Sequence, residues 1–114
     1  MYYRYEYILE NVPDTHQGIL TGMDIIFSQE DILKYIWPFE KYLKGPTCSM
    51  VNTISYFTQE GNQVLGDAIE SLCQAIEESG KASVSRIVVD DIDETKVLYC
   101  DPYQVVLIRK KIEE

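Results

Sequence analysis

A chain of 114 residues suffices for one domain that buries a core without a metal or disulfide staple. Its 46% hydrophobic and 25% charged residues exclude disordered and fibrous classes. Nineteen acidic residues against ten basic ones give a net charge of −9, a field that repels nucleic acid and anionic membranes and attracts basic partners. The same charge is also what keeps an ordinary globular protein in solution.

Residues 2–9 alternate as a strand, with Tyr3, Tyr5, Tyr7 and Leu9 on one face and Arg4, Glu6 and Glu10 on the other with Tyr2 and Ile8. Residues 11–18, NVPDTHQG, are rich in chain breakers and read as a loop. Residues 19–27, ILTGMDIIF, read as a second strand in which Gly22 marks a bulge or bend. Ser28 opens a helix with a capping-box variant, SQED, and Ile32, Ile36, Phe39 and Leu43 form its apolar stripe. Pro38 interrupts that stripe, which predicts a kink or two short helices meeting near Trp37, and Gly45-Pro46 ends the segment.

Residues 50–57 read as a third strand. Thr58 then caps the clearest helix of the chain, on which Val64, Leu65, Ala68, Ile69, Leu72, Cys73 and Ile76 recur at helical spacing and Gly80 is the natural C′ residue. Residues 83–89, 96–100 and 103–110 read as strands, the last two joined through Asp101-Pro102 as a hairpin. The order ββα(β)αβββ predicts one α+β domain over 1–114: a mainly antiparallel sheet of about four to five strands packed against two helices.

Several chemistries have no support in the sequence. It holds no glycine-rich nucleotide loop, and its single histidine, His16, rules out a multi-histidine centre within one chain. The cysteines, Cys48, Cys73 and Cys100, are odd in number and include no C-x-x-C pair, so neither a zinc ribbon nor a disulfide framework is implied. Cys73 lies on the helix stripe as a small hydrophobe, and Cys48, in a loop, has no neighbouring cation to activate it towards His16. The N-terminus carries Arg4 and Glu6 inside its apolar stretch, and no run approaches the ~18 apolar residues of a membrane span. These readings together predict a cytoplasmic protein with no cofactor and no metal.

The densest chemistry is the stretch Asp90, Asp91, Ile92, Asp93, Glu94, followed by Asp101. As a calcium loop it fails, because Thr95 and Lys96 stand where a ligand and a glycine are needed. Residues 1–80 hold twelve acids and four bases, with Glu70, Glu77 and Glu78 among those expected on outward helix faces. Arg109, Lys110 and Lys111 form the one basic cluster, at the end of the last strand.

The expectation is a non-enzymatic acidic binder that inhibits or neutralises a basic nucleic-acid-handling protein, in the manner of an anti-defence inhibitor or immunity protein, by mimicking nucleic acid. Its partner-binding candidates are Asp90, Asp91, Ile92, Asp93, Glu94, Asp101, Glu70, Glu77 and Glu78, with no direct contact to nucleic acid or membrane. Two alternatives stand beside it. One is a small-molecule binder or minor enzyme with a tyrosine-lined pocket between sheet and helices. The other is a self-associating accessory domain, a homodimer formed through Tyr2, Tyr3, Tyr5 and Tyr7 on an exposed N-terminal strand.

Overall fold

The computed structural model describes residues 1–20, 23–43 and 53–109; the side chains of residues 13–16 lie outside that description. The chain is an α+β domain with an antiparallel sheet, as predicted, and the described residues form six strands and three α-helices. The strands are β1 (Tyr2–Leu9), β2 (Val12–Gly18), β3 (Thr53–Thr58), β4 (Ala82–Val89), β5 (Val97–Cys100) and β6 (Gln104–Ile108). The helices are α1 (Gln29–Glu40), α2 (Gln59–Val64) and α3 (Gly66–Glu78).

β1 organises the sheet. It pairs with β4 along its whole length on one side. Its other side is shared: Tyr2 and Tyr3 pair with β3, and Glu6 to Leu9 pair with β2. β6 then continues from β3, and β5 from β6, so that β2, β4 and β5 each pair with a single neighbour and form the edges. Where β2 and β3 diverge, Arg4 fills the gap, its Nη1 donating to the Ser55 carbonyl at 2.9 Å. Its guanidinium also binds Glu6 on the same sheet face, and both residues are only 8% exposed.

The central position of β1 corrects one expectation. A strand paired on both sides has no free edge, and Tyr5 and Tyr7 are buried, so β1 gives a second copy nothing to pair with. The residues Tyr3, Tyr5, Tyr7 and Leu9 do share a face, and that face meets the helices. Tyr7, at 0% exposure, sits in the core with Phe39, Phe57, Leu65, Ile69, Leu72, Cys73 and Ile76.

Three further expectations change. Residues 11–18 are not a loop: β2 pairs with β1, and an irregularity between Ile8 and Leu9 absorbs the breakers. Pro13 fits there because an edge strand can spare one backbone donor. Residues 19–27 are not a strand. Ile19, Met23 and Ile26 are the buried ones, at i, i+4 and i+7, a helical spacing, and Met23–Ile25 form a 3-10 turn whose Met23 carbonyl accepts from Phe27 N at 2.8 Å. The expected bulge at Gly22 lies outside the described residues, as do the helix-ending Gly45-Pro46 and the start of the expected strand at 50–52. Finally, the long second helix is two, α2 and α3, which meet at Leu65. Leu65 is buried, and its backbone still links the two, its N–H reaching the Gly61 carbonyl and its carbonyl accepting from Ile69 N.

The caps follow prediction. The Ser28 Oγ accepts from Asp31 N at 3.3 Å, and the Thr58 Oγ1 accepts from Gly61 N at 3.0 Å. α1 remains one helix across Pro38, which lacks the N–H that would bond to the Lys34 carbonyl, and it ends two residues later. Gly80, at φ +74°, closes α3 in the left-handed region where a side chain is strained. Gly61 serves a different purpose. A Cβ there would overlap the Tyr103 carbonyl oxygen, because α2 begins directly against the β5–β6 turn. Thr58 ties that junction, its N–H donating to the Tyr103 carbonyl at 3.0 Å and its hydroxyl to the Pro102 carbonyl at 2.6 Å.

Candidate functional site

Apart from Asp101, which sits in the β5–β6 turn, the acids singled out in the sequence fall into two groups on opposite sides of the sheet. α3 packs on the face that carries Tyr5, Tyr7, Val84 and Arg86, so Glu70, Glu77 and Glu78 belong to the helical side. Residues 90–96 run from the β4 edge towards the β5 edge across the other face, and the sheet curls around them. Ile92, half-buried, lines a cleft of about 340 Å³ there with Ile54, Tyr56, Val89 and Leu107. The charged residues of that cleft balance: Asp91 and Asp93 against Lys96 and Arg109.

In this loop, carboxylates fold the backbone. The Asp91 Oδ1 accepts from Ile92 N at 2.8 Å. The Asp93 Oδ1 accepts from Thr95 N at 3.0 Å and from the Thr95 hydroxyl at 2.5 Å, capping the 3-10 turn Glu94–Lys96. The Thr95 hydroxyl and then its N–H hold the Asp93 carboxyl below its ordinary value, and Lys96, at 3.9 Å, adds to this. The side chains of Asp90 and Glu94 are exposed and accept no hydrogen bond among the described residues.

Asp101 is committed further. Its Oδ1 accepts from Tyr103 N at 2.8 Å and Gln104 N at 3.0 Å, and its Oδ2 from the Tyr99 hydroxyl at 2.8 Å and Gln104 Nε2 at 3.3 Å. Burial alone pushes this carboxyl up, but the hydrogen bonds from Tyr99, Tyr103 and Gln104 together outweigh it and leave the group below the ordinary carboxylate range. Asp101 is thus the pin of the hairpin turn that the sequence predicted.

The α3 acids are placed differently. Glu70 accepts from Arg86 Nη2 at 2.8 Å in a pair that is largely exposed. Glu77, two turns further along, also acts on the Arg86 guanidinium. Glu78 accepts only from Gln74 Nε2, at 3.0 Å. One guanidinium against Glu70 and Glu77 leaves this strip of the surface negative.

Comparison with known proteins finds no match: no family model, curated protein or solved structure is similar to this chain. The functional reading therefore stands on the residues. Burial pushes the Cys73 thiol up to about 11, so it stays protonated at neutral pH, and it is buried. Cys100 is exposed on β5, while Cys48 and the His16 side chain lie outside the described residues. Among the described residues no three His, Cys, Asp or Glu side chains converge to hold a metal ion, and no helix is long and apolar enough to cross a membrane.

Among the described residues, Tyr5 and Tyr7 are buried in the core of the layer between sheet and helices, where the sequence suggested a tyrosine-lined pocket. The cleft lies on the opposite face and contains Tyr56 as its one tyrosine. Two features were missed in the sequence. One is the buried Arg4–Glu6 pair, whose signal was two opposite charges two residues apart on one strand face. The other is Leu33 and Trp37, 69% and 68% exposed at i, i+4 on the outer side of α1.

Proposed function

We propose that the protein is a non-enzymatic acidic binding module that occupies a basic surface on a nucleic-acid-handling protein in the cytoplasm and blocks its access to nucleic acid. The observation that carries this reading is the surplus of surface carboxylate. The chain has nine more acids than bases, and the ion pairs between described residues are Arg4–Glu6, Arg86–Glu70 and Lys96–Asp93. Exposed carboxylates held on a rigid helix present negative charge at fixed spacing, which is the physical basis for competing with phosphates.

The test is capture of partners from the native host, followed by a salt series and competition. The reading predicts a basic nucleic-acid-handling protein whose affinity falls steeply as salt rises and which duplex DNA or RNA displaces. A captured partner whose affinity does not change with ionic strength contradicts it.

A further inference from the structure

The outer edge of β4 is a long, regular strand edge left open. β4 pairs with β1 through eight consecutive residues without a bulge, and with no other strand among the described residues. Among the described residues no hydrogen bond reaches the backbone N–H and C=O groups of its far side. Sheet edges are ordinarily protected by shortness, bulges, prolines or charge. β5 has four residues and an irregular register, and β2 carries Pro13 and an irregularity. β4 has none of these, its one charged side chain, Arg86, is drawn to Glu70 on α3, and Val88 beside it is 53% exposed.

The chemistry on either side of this edge says what fits it. Ala82, Val84, Arg86 and Val88 share the helical face, and Ser83, Ser85, Ile87 and Val89 the other. A strand added to β4 would thus set alternate side chains beside Glu70 and Glu77 and the intervening ones beside Ile87 and Val89, which are half-buried. Basic side chains suit the first row and β-branched apolar ones the second.

We propose that the β4 edge receives an extended segment of the partner, alternating basic and β-branched residues, as an added strand of this sheet. The proposal rests on the reading of the protein as an acidic binder and specifies where and how it binds. A second copy of the chain is the poorer occupant, because it would bring the same α3 acids alongside these.

The test uses the full chain, labelled with 15N, titrated at low salt with a blocked octapeptide of alternating Lys and Val. The same peptide fully N-methylated keeps its charge and cannot donate to a strand. The proposal predicts shifts and exchange protection of the amides of residues 83–89, at least tenfold weaker binding of the methylated peptide, and at least fivefold weaker binding to the Glu70→Gln/Glu77→Gln variant. Equal affinity for the two peptides, or shifts concentrated in residues 90–94, overturns strand addition and leaves the acidic-binding reading standing. Binding of neither peptide removes both. Dimerisation of the chain alone, with those same β4 amides protected, overturns the proposal in favour of a second copy.

Discussion

The acids on α3 and the acids after β4 are the same chemical groups put to different uses. Asp91, Asp93 and Asp101 spend their oxygens on backbone and side-chain donors of their own loops. Glu70, Glu77 and Glu78 have one guanidinium and one side-chain amide for company, and stand on a helix whose other side is locked into the core. Within the run at 90–94, Asp91 and Asp93 cap the connection while the Asp90 and Glu94 side chains are left exposed, so a dense run of carboxylates can owe part of its density to folding. The sparser acids of α3 carry charge with little structural duty. The contrast makes predictions that can be ranked by size.

The largest concerns Glu6, the one carboxylate buried with a cation among the described residues. Arg4→Met removes one partner of Glu6 inside the sheet, together with the bond from Arg4 to the Ser55 carbonyl, and loss of one member of a buried pair costs about 3–5 kcal/mol. Urea denaturation measures it. A loss below about 1 kcal/mol would show that the Arg4–Glu6 pair contributes little to the folded state.

Next is the hairpin that Asp101 pins. Gly61→Ala, on the α2 side of the same junction, should cost about 1–3 kcal/mol, because the obstacle is the Tyr103 backbone and not a movable side chain. Asp101→Asn keeps the shape but loses one acceptor oxygen and the charge, a cost of about 1–2 kcal/mol. Because the Asp101 carboxyl sits below its ordinary value in the folded state, its contribution is complete above about pH 4, the unfolded value, and disappears as pH falls through the folded one. The stability gap between parent and Asp101→Asn should accordingly be constant from neutral pH to about 5 and narrow below about 4. A gap that widens on acidification would reverse the assignment.

The smallest effects belong to the surface. Asp90→Asn with Glu94→Gln should alter stability by less than about 0.5 kcal/mol, since neither residue has a partner among the described ones. Trp37→Ala should do the same, because α1 packs through Ile32, Ile36 and Phe39 on its other side. A larger loss in either would place that side chain in a contact absent from this account.

Local signals in the sequence were read well. The Ser28 and Thr58 caps, the left-handed Gly80, the buried stripe from Leu65 to Ile76 and the β5–β6 hairpin all follow from side-chain chemistry within a few residues. Non-local decisions were harder. β2 is a strand because β1 lies beside it, in spite of its own composition. β1 is central because three strands recruit it, and nothing in its eight residues says how many neighbours it has. The period of Ile19, Met23 and Ile26 was there to be seen, but a nine-residue apolar run obscured it. For the candidate site, the sequence shows which residues are acidic; that Glu70, Glu77 and Glu78 lie on one face and residues 90–94 on the other depended on the path of the strap over the sheet.

The most direct measurement compares two triple variants of equal charge. Glu70→Gln/Glu77→Gln/Glu78→Gln and Asp91→Asn/Asp93→Asn/Asp101→Asn each take the net charge from −9 to −6. Both are measured for stability in urea and for affinity towards the Lys–Val octapeptide. The account predicts that the helix triple stays within about 1 kcal/mol of the parent, as exposed pairs contribute little, while its affinity falls at least tenfold. It predicts that the loop triple loses about 2–3 kcal/mol, as caps and turn hydrogen bonds go, with affinity changed less than twofold. Equal loss of affinity in both variants would show that only net charge matters, and the reverse pattern would return the binding surface to the acidic strap.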